Sequence, residues 1–310
     1  MKSKVAQMDD TGALVNNQSQ STFTFSTEHV TVLTTIPSKS KMSAMYAFTG
    51  GQRMFYMIDD NFFKYLGKSK HLELLSKLRR EIPYTEDEFE KELTSITSEK
   101  NFHQIYHIRV CAIRAWIQTH PKNVPYCVLV SDAAPNFNFM GDYHQLCWVH
   151  ELRHYRKLDP LIDSHKELKE QILAVLYDFY KNLKRFKEGE FTRVEIERDF
   201  DDIVSIRTGY GELDQLLDNT KKRKVGLLKV LKYPFVPLHN NMSEQDLRES
   251  VIKRKVSGGT KTEIGTYSWD VGLSLVHTCR KLGVSFYHYL LDRYSQKNSI
   301  PQLKQFVLQA

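Results

Sequence analysis

The chain has 310 residues, which is long enough to bury a substantial core and exceeds one average domain. Its 41% hydrophobic and 26% charged residues are ordinary for a soluble globular protein, and no apolar run approaches the roughly 18 residues that a membrane span needs. The 44 basic and 37 acidic residues give a net charge of +7, which suits a polyanionic partner but is shared by many other proteins.

Three segments near the start of the chain have strand-like patterns, through alternation or β-branched residues. They are residues 4–10, 22–25 and 29–36. Asn16 and Asn17 lie in a polar turn after the first segment, and Pro37 ends the third. The sequence therefore predicts three antiparallel strands joined by short turns, with Asp9 and Asp10 at the end of the first.

The middle of the chain changes character. Leucines recur at helical spacing within residues 50–120, which predicts a mostly helical segment. Residues 126–131 form a short apolar run that ends at Asp132, as a buried central strand would. Residues 144–149 are a further short strand candidate, and a basic helix is predicted from about His150.

The last part is predicted to be helical. Apolar stripes run from Pro160 to about Lys232, a capped helix follows from about Asn241 to the Gly258-Gly259 loop, and an amphipathic helix covers about Ser268 to Tyr289. The order of elements matches an α/β fold with a ribonuclease H-like mixed sheet and large helical insertions. We expect residues 1–150 and 232–310 to form this core, with 50–120 as an insertion, and 151–231 to form a helical insertion domain.

Three acidic positions stand where such a sheet would hold metal ions: Asp9 or Asp10 on the first strand, Asp132 after the fourth, and Glu244 near a helix start. Two Mg²⁺ ions need oxygen ligands of this kind. Each acid also has a purely structural interpretation. Aspartates are common at strand ends because they form turns, and Asn241 to Glu244 fits a capping box in which Glu244 reaches back to the helix start.

Three segments, in this order along the chain, carry a family resemblance. They are Asp9-Asp10-Thr11-Gly12; Val130-Ser131-Asp132-Ala133-Ala134 with Leu146-Cys147-Trp148-Val149-His150; and Pro237-Leu238-His239-Asn240-Asn241-Met242-Ser243-Glu244, which continues through Leu247-Arg248 to Gly259. Together they resemble the DDE transposases of bacterial insertion sequences, specifically the IS66-like group. The resemblance covers residues from about 4 to 295.

This resemblance implies that Asp9, Asp132 and Glu244 are the catalytic acids and hold two Mg²⁺ or Mn²⁺ ions, with Asp10 as an alternative to Asp9. Four residues of the motifs are expected to support the site: Asn240, Asn241, Cys147 and His150. Cys147 and His150 lack the second ligand pair that a zinc site would need, so we expect them to shape the site or position DNA.

The implied partner is DNA, as insertion-sequence ends and as target. The helix from Asn241 would place basic residues beside phosphates flanking the metals, and a basic run in the helical block would contact the backbone. These residues are Arg248, Arg254 and Lys255, and then Lys221, Lys222, Arg223 and Lys224. An ion pair between Glu244 and Arg248 is the structural alternative for the first group.

Typical members of this family begin with a region that binds transposon ends, whereas this chain starts almost on its first catalytic strand. Two functions are therefore expected as alternatives. One is a transposase catalytic domain that cleaves DNA and transfers strands, as a homodimer or larger assembly during synapsis. The other is a catalytically idle remnant that represses or titrates a full-length relative. The four scattered cysteines fit a reducing compartment, and we expect a cytoplasmic, nucleoid-associated protein of bacteria without a membrane partner.

Overall fold

The structure is a computed structural model that describes residues 3–69, 71–96, 101–119, 128–139 and 143–309. Its strands are β1 (Val5–Val15), β2 (Gln18–Ser26), β3 (Thr31–Ile36), β4 (Val128–Ser131) and β5 (His144–Leu146). They form one five-stranded mixed sheet in the order β3-β2-β1-β4-β5, with β1, β2 and β3 antiparallel and β5 parallel to β4. The protein is therefore of the α/β class, as predicted.

Helices make up most of the remaining described chain. They are α1 (Lys41–Phe48), α2 (Asp60–Leu66), α3 (Leu72–Leu75), α4 (Glu86–Ile96), α5 (Phe102–Thr119), α6 (Trp148–Lys157), α7 (Asp163–Lys187), α8 (Arg193–Ser205), α9 (Gly211–Lys222), α10 (Lys224–Leu227), α11 (Asn241–Ser257), α12 (Glu263–Lys281), α13 (Phe286–Tyr294) and α14 (Leu303–Gln309). Of the described helices, none is long and apolar enough to cross a membrane.

The boundaries of several elements differ from those that the sequence patterns predict. The opening strand continues to Val15, and Asn16 and Asn17 turn the chain with positive φ angles of 49° and 64°. The predicted strand 144–149 ends at Leu146, because the chain enters α6 at Trp148. Residues 126 and 127 of the predicted fourth strand lie outside the described residues.

The single helix predicted from Ser268 to Tyr289 is wrong, since α12 ends at Lys281 and α13 starts at Phe286. Gly283 lies between them with φ of +67°, a conformation that glycine adopts without cost. The Val284 N–H donates to the Cys279 carbonyl at 2.9 Å, which closes a Schellman motif at the end of α12.

The chain divides into two compact units. Unit 1 comprises Met1–Cys127, Pro135–Met140 and Met242–Ala310, and unit 2 comprises Val128–Ala134 and Gly141–Asn241. The core of unit 2 is formed by the helices α6 to α10, where Trp148 is fully buried against Phe179 and Phe200. Its indole N–H donates to the Leu227 carbonyl at 2.9 Å, so this tryptophan has a packing role.

In unit 1, α12 covers the edge strand β3 through hydrogen bonds from the strand backbone to side chains of the helix. The backbone N–H groups of Thr31, Leu33 and Thr35 would face outward from the sheet, and an exposed edge of this kind invites aggregation. Side chains spaced four residues apart on α12 accept hydrogen bonds from them. Thr278 accepts from Thr31 at 3.1 Å, Ser274 from Leu33 at 2.9 Å, and Asp270 from Thr35 at 2.6 Å. Four residues of helix rise about 6 Å and two residues of strand about 6.6 Å, so the two spacings match.

Asp270 makes the stability of this edge dependent on pH. Burial raises the pKa of its carboxyl to about 6, and the hydrogen bonds from the Thr35 N–H and hydroxyl only partly offset this. The folded state favours the protonated acid. The stabilisation of the fold that comes from this protonation is therefore complete below the unfolded pKa of 3.8 and is lost as pH rises through about 6.

We expect Asp270→Asn to remove this pH dependence. A rise in pKa from 3.8 to about 6 corresponds to about 3 kcal/mol. Between pH 4 and pH 7, the free energy of unfolding of the native chain should therefore fall by up to about 3 kcal/mol more than that of Asp270→Asn. Urea unfolding of both proteins across this range measures the difference. Parallel curves for the two proteins would contradict the assignment to Asp270.

Candidate active site

Asp9 and Asp10 are neighbours on β1, and successive side chains of a strand point to opposite faces of the sheet. Asp10 lies opposite Phe23 on β2, on the face where Phe23 makes an edge contact with Phe137. Its carboxylate is only 4% exposed and lies 2.8 Å from Lys39 Nζ, while Asn136 Nδ2 donates to Oδ1 at 3.4 Å. Asp10 is therefore held in an ion pair beside the aromatic core of unit 1.

Asp9 lies on the other face, together with Gln7. Across the strand pair, Asp9 is opposite Thr24 and Gln7 is opposite Ser26. This second face is the one that α11 covers, because Gln7 Oε1 accepts from the Met242 N–H at 3.0 Å and Ser26 Oγ donates to Asp246 Oδ2 at 2.5 Å. Asp9 and α11 are therefore on the same side of the sheet in unit 1.

The far end of α11 is also tied to β1. Arg254 donates to the Gly12 carbonyl, and beyond the helix Thr260 N–H donates to the Leu14 carbonyl at 3.0 Å. Gly259 has φ of +98°, and a Cβ on it would lie 2.1 Å from the Leu14 carbonyl oxygen. Only glycine allows this close approach. The helix thus runs along β1 from Gln7 to Leu14, with Asp9 between its attachment points.

Glu244 stands in the first turn of α11 and is partly buried. The helix begins at Asn241 itself, so Asn241 is the first helical residue and not the cap of a capping box. Two of the three predicted acids, Asp9 and Glu244, are therefore carried by elements that contact each other on one sheet face. Asp10 is on the opposite face.

Next to Glu244 is a polar cluster that the sequence patterns did not single out. Asp246 is 6% exposed, and its Oδ2 accepts from Ser26, from Thr31 Oγ1 at 2.7 Å and from Lys281 Nζ at 2.8 Å. Burial opposes ionisation, but these hydrogen bonds hold the pKa of the Asp246 carboxyl below its ordinary value. His277 Nδ1 lies 3.5 Å from the other oxygen, and burial lowers the pKa of this imidazole. The sequence signal for Asp246 is its position inside the third motif, between Glu244 and Leu247.

Asp132 follows β4 in unit 2. Its Oδ1 accepts from the Ala134 N–H at 3.0 Å, so it also forms the local turn that the structural interpretation predicted. Ser131 Oγ lies 2.8 Å from Nε2 of the buried His144. Burial, together with the nearby Lys229, lowers the pKa of His144 to about 4, so this imidazole is neutral at pH 7.

The four supporting residues lie close to the ends of elements. Asn240 is fully buried directly before α11, whereas Asn241 is exposed. Cys147 is buried directly before α6, and its N–H donates to the Ser131 carbonyl at 2.8 Å. His150 Nε2 lies 3.0 Å from Arg153 Nη1.

The predicted basic residues separate into two groups. Arg248 and Lys255 are exposed on α11, and Lys221 and Lys222 are exposed at the end of α9. The other three make internal contacts: Arg254 with Gly12, Arg223 with both oxygens of Glu151 at 3.0 Å, and Lys224 with Asp201 at 2.6 Å. The four exposed residues therefore present their charges to solvent, whereas the other three are partly buried and make these internal contacts.

Carboxylate oxygens suit Mg²⁺ and Mn²⁺, and two of the predicted acids, Asp9 and Glu244, are carried by elements that contact each other. Over the described ranges, no group of three or more His, Cys, Asp or Glu side chains is arranged to hold a metal ion. Mg²⁺ is usually bound by one or two carboxylates, with waters and substrate phosphates completing its shell, so each of two ions would need only one or two of the predicted acids.

Comparison with known proteins agrees with the motifs. A sequence profile described as "Transposase IS66 family" matches residues 112–267. A protein of Sinorhizobium fredii, named "Uncharacterized protein y4jO", is 35% identical in an alignment that covers 92% of this chain and 90% of that protein. No solved structure matches the chain. The profile spans half of the chain and includes Asp132 and Glu244, and we conclude that the chain belongs to the IS66 family of transposases.

Proposed function

We propose that this chain is a transposase catalytic domain, with a ribonuclease H-like core, that cleaves DNA at insertion-sequence ends and transfers the freed strand to target DNA. The observation that carries the proposal is the placement of Asp9 on the sheet face that α11 covers, with Glu244 in the first turn of that helix. Membership of the IS66 family supplies the reaction class.

Asp9, Asp132 and Glu244 would hold the two divalent ions, Mg²⁺ or Mn²⁺. When bound, the metals would sharpen the attacking oxygen and stabilise the leaving one. The chain's own contribution would be to supply these carboxylates and to bind the phosphates. Asp9 is preferred to Asp10 because Asp10 is paired with Lys39 on the opposite face.

The reaction would have two steps: a hydrolysis that breaks one phosphodiester and leaves a 5′-phosphate, and a transesterification that conserves the number of phosphodiesters. Water attacks a phosphorus at the end of the element, the bond to the 3′ oxygen breaks, and that oxygen takes up a proton to become a hydroxyl. The hydroxyl then attacks a phosphorus in target DNA, and one new phosphodiester forms as one breaks. No covalent bond to the protein is needed, so catalysis depends on positioning and charge neutralisation.

DNA would be held by the exposed basic residues. Arg248 and Lys255 are seven residues apart on α11, which is about two helical turns. They therefore lie on the same face of the helix, on the C-terminal side of Glu244. Lys221 and Lys222 would contact the DNA backbone from unit 2. Such contacts release counterions, so binding should weaken steeply with salt. A dimer or larger assembly would bring two ends together.

The test uses duplexes taken from the DNA on both sides of the coding region, labelled at the end, with a supercoiled plasmid as target. With Mg²⁺ or Mn²⁺ the intact chain should cut the duplex, leave a 3′-hydroxyl and join it to the plasmid, and Asp132→Asn should do neither. Cutting without joining would replace the proposal with a ribonuclease H-like nuclease. DNA binding without cutting in either protein would replace it with the idle remnant that titrates a full-length relative.

A further inference from the structure

Gln7 is a buried polar residue on β1 that the proposed reaction does not use. It is 2% exposed and lies two residues before Asp9, so the two side chains share one face of the strand. Its neighbours Ala6 and Met8 are fully buried and apolar. A buried amide of this kind costs free energy unless it is hydrogen-bonded, so a hydrogen-bond partner is expected for the Gln7 side chain.

The partner of Gln7 is the start of α11. The first four N–H groups of a helix have no carbonyl partner within the helix. Gln7 Oε1 accepts from one of them, the Met242 N–H, at 3.0 Å. Strand β1 therefore supplies the acceptor for one of the N–H groups at the helix start, the groups that side-chain caps commonly satisfy.

A second contact fixes the same helix one turn further on. Ser26 lies directly opposite Gln7 on β2, and its hydroxyl donates to Asp246 Oδ2 at 2.5 Å. Met242 and Asp246 are four residues apart on α11 and are attached to two residues that face each other across β1 and β2. Glu244 lies midway between these attachment points.

We propose that Gln7 is a positioning residue that sets the register between β1, which carries Asp9, and α11, which carries Glu244. This inference rests on the proposed function. A shift of one residue along α11 would rotate Glu244 by about 100° around the helix axis and separate the two carboxylates. The Gln7–Met242 hydrogen bond opposes that shift at the end of the helix nearest to Glu244.

The test compares Gln7→Met, which keeps the side-chain length but has no strong acceptor, with Gln7→Glu, which keeps the acceptor. Gln18→Met, on the exposed part of β2, is the matched control. Three quantities are measured: hydrogen exchange of the Met242 amide without metal, Mn²⁺ affinity by electron paramagnetic resonance, and kcat and KM for DNA cleavage.

Gln7→Met should lose the protection of the Met242 amide from hydrogen exchange. It should bind Mn²⁺ about 10- to 100-fold more weakly, the usual effect of changing a residue that orients a metal ligand. Its kcat should fall while KM for DNA is unchanged. Gln7→Glu should restore all three, and Gln18→Met should match the native chain. A folded Gln7→Met protein with native Mn²⁺ affinity, or a Gln7→Glu protein as impaired as Gln7→Met, would overturn the inference alone. A native chain that neither binds Mn²⁺ nor cuts DNA would overturn the proposed function and the inference together.

Discussion

Replacing Glu244 by glutamine is expected to lower the rate of metal-dependent DNA cleavage by about 10³-fold, because metal-assisted charge stabilisation contributes several kcal/mol to the transition state. Glutamine has nearly the same shape as glutamate but lacks its negative charge, so α11 should keep its contacts through Met242 and Asp246. Cleavage of an end-labelled duplex, measured over a Mg²⁺ or Mn²⁺ titration, gives the rate.

Glu249→Gln is the matched control, since it makes the same chemical change on the same helix. Glu249 is partly exposed and lies 3.4 Å from the exposed Arg280 and 4.0 Å from His277 Nε2, and such long contacts contribute little to stability. The control should retain native cleavage and an unchanged melting temperature. Equal loss of activity in both variants would show that any change on α11 disturbs the protein, and native activity in Glu244→Gln would remove Glu244 from the site.

Replacing Glu151 by alanine is expected to destabilise unit 2 by about 3 kcal/mol, the low end of the cost of removing one partner from a buried ion pair, because Arg223 is 31% exposed. Glu151 is 3% exposed, and Arg223 Nη1 lies 3.0 Å from both carboxylate oxygens. Thr220 Oγ1 also donates to Glu151 at 2.6 Å. The alanine variant leaves the Arg223 guanidinium without this anion, at the point where α9 meets α10.

Urea unfolding followed by circular dichroism measures this loss, and Glu167→Ala provides a control on the exposed surface of α7. The control should change the free energy of unfolding by less than about 0.5 kcal/mol, as is usual for surface positions. If Glu151→Ala were as mild as Glu167→Ala, Arg223 would not need its partner, and it would return to the set of candidate DNA contacts with Lys221 and Lys222.

The strands and α11 could be predicted from the sequence because local patterns encode them. Period-two alternation marked β2, the Asn16-Asn17 pair marked its turn, and the Gly258-Gly259 loop marked the end of α11. The break between α12 and α13 was missed because the apolar periodicity continues across Gly283. Periodicity reports which face of a helix is buried, but not whether the helix is continuous.

The site was predictable only in part, and for a related reason. Motifs identified the acids, but the difference between Asp9 and Asp10 depends on which sheet face α11 covers, and that is a tertiary property. The roles of Gln7 and Asp246 also depend on contacts between residues more than 200 positions apart in the sequence. The basic run 221–224 shows the same limit, since only the fold separates the exposed Lys221 and Lys222 from the paired Arg223 and Lys224.

We propose Asp9, on the sheet face that α11 covers, as the first metal ligand. Mn²⁺ binding measured by electron paramagnetic resonance, with and without a short DNA duplex, tests it through the pair Asp9→Asn and Asp10→Asn. We predict that Asp9→Asn loses at least one bound Mn²⁺, whereas Asp10→Asn, which removes the charge paired with Lys39 on the opposite face, keeps the native number. Loss of Mn²⁺ in Asp10→Asn and native binding in Asp9→Asn would contradict the claim.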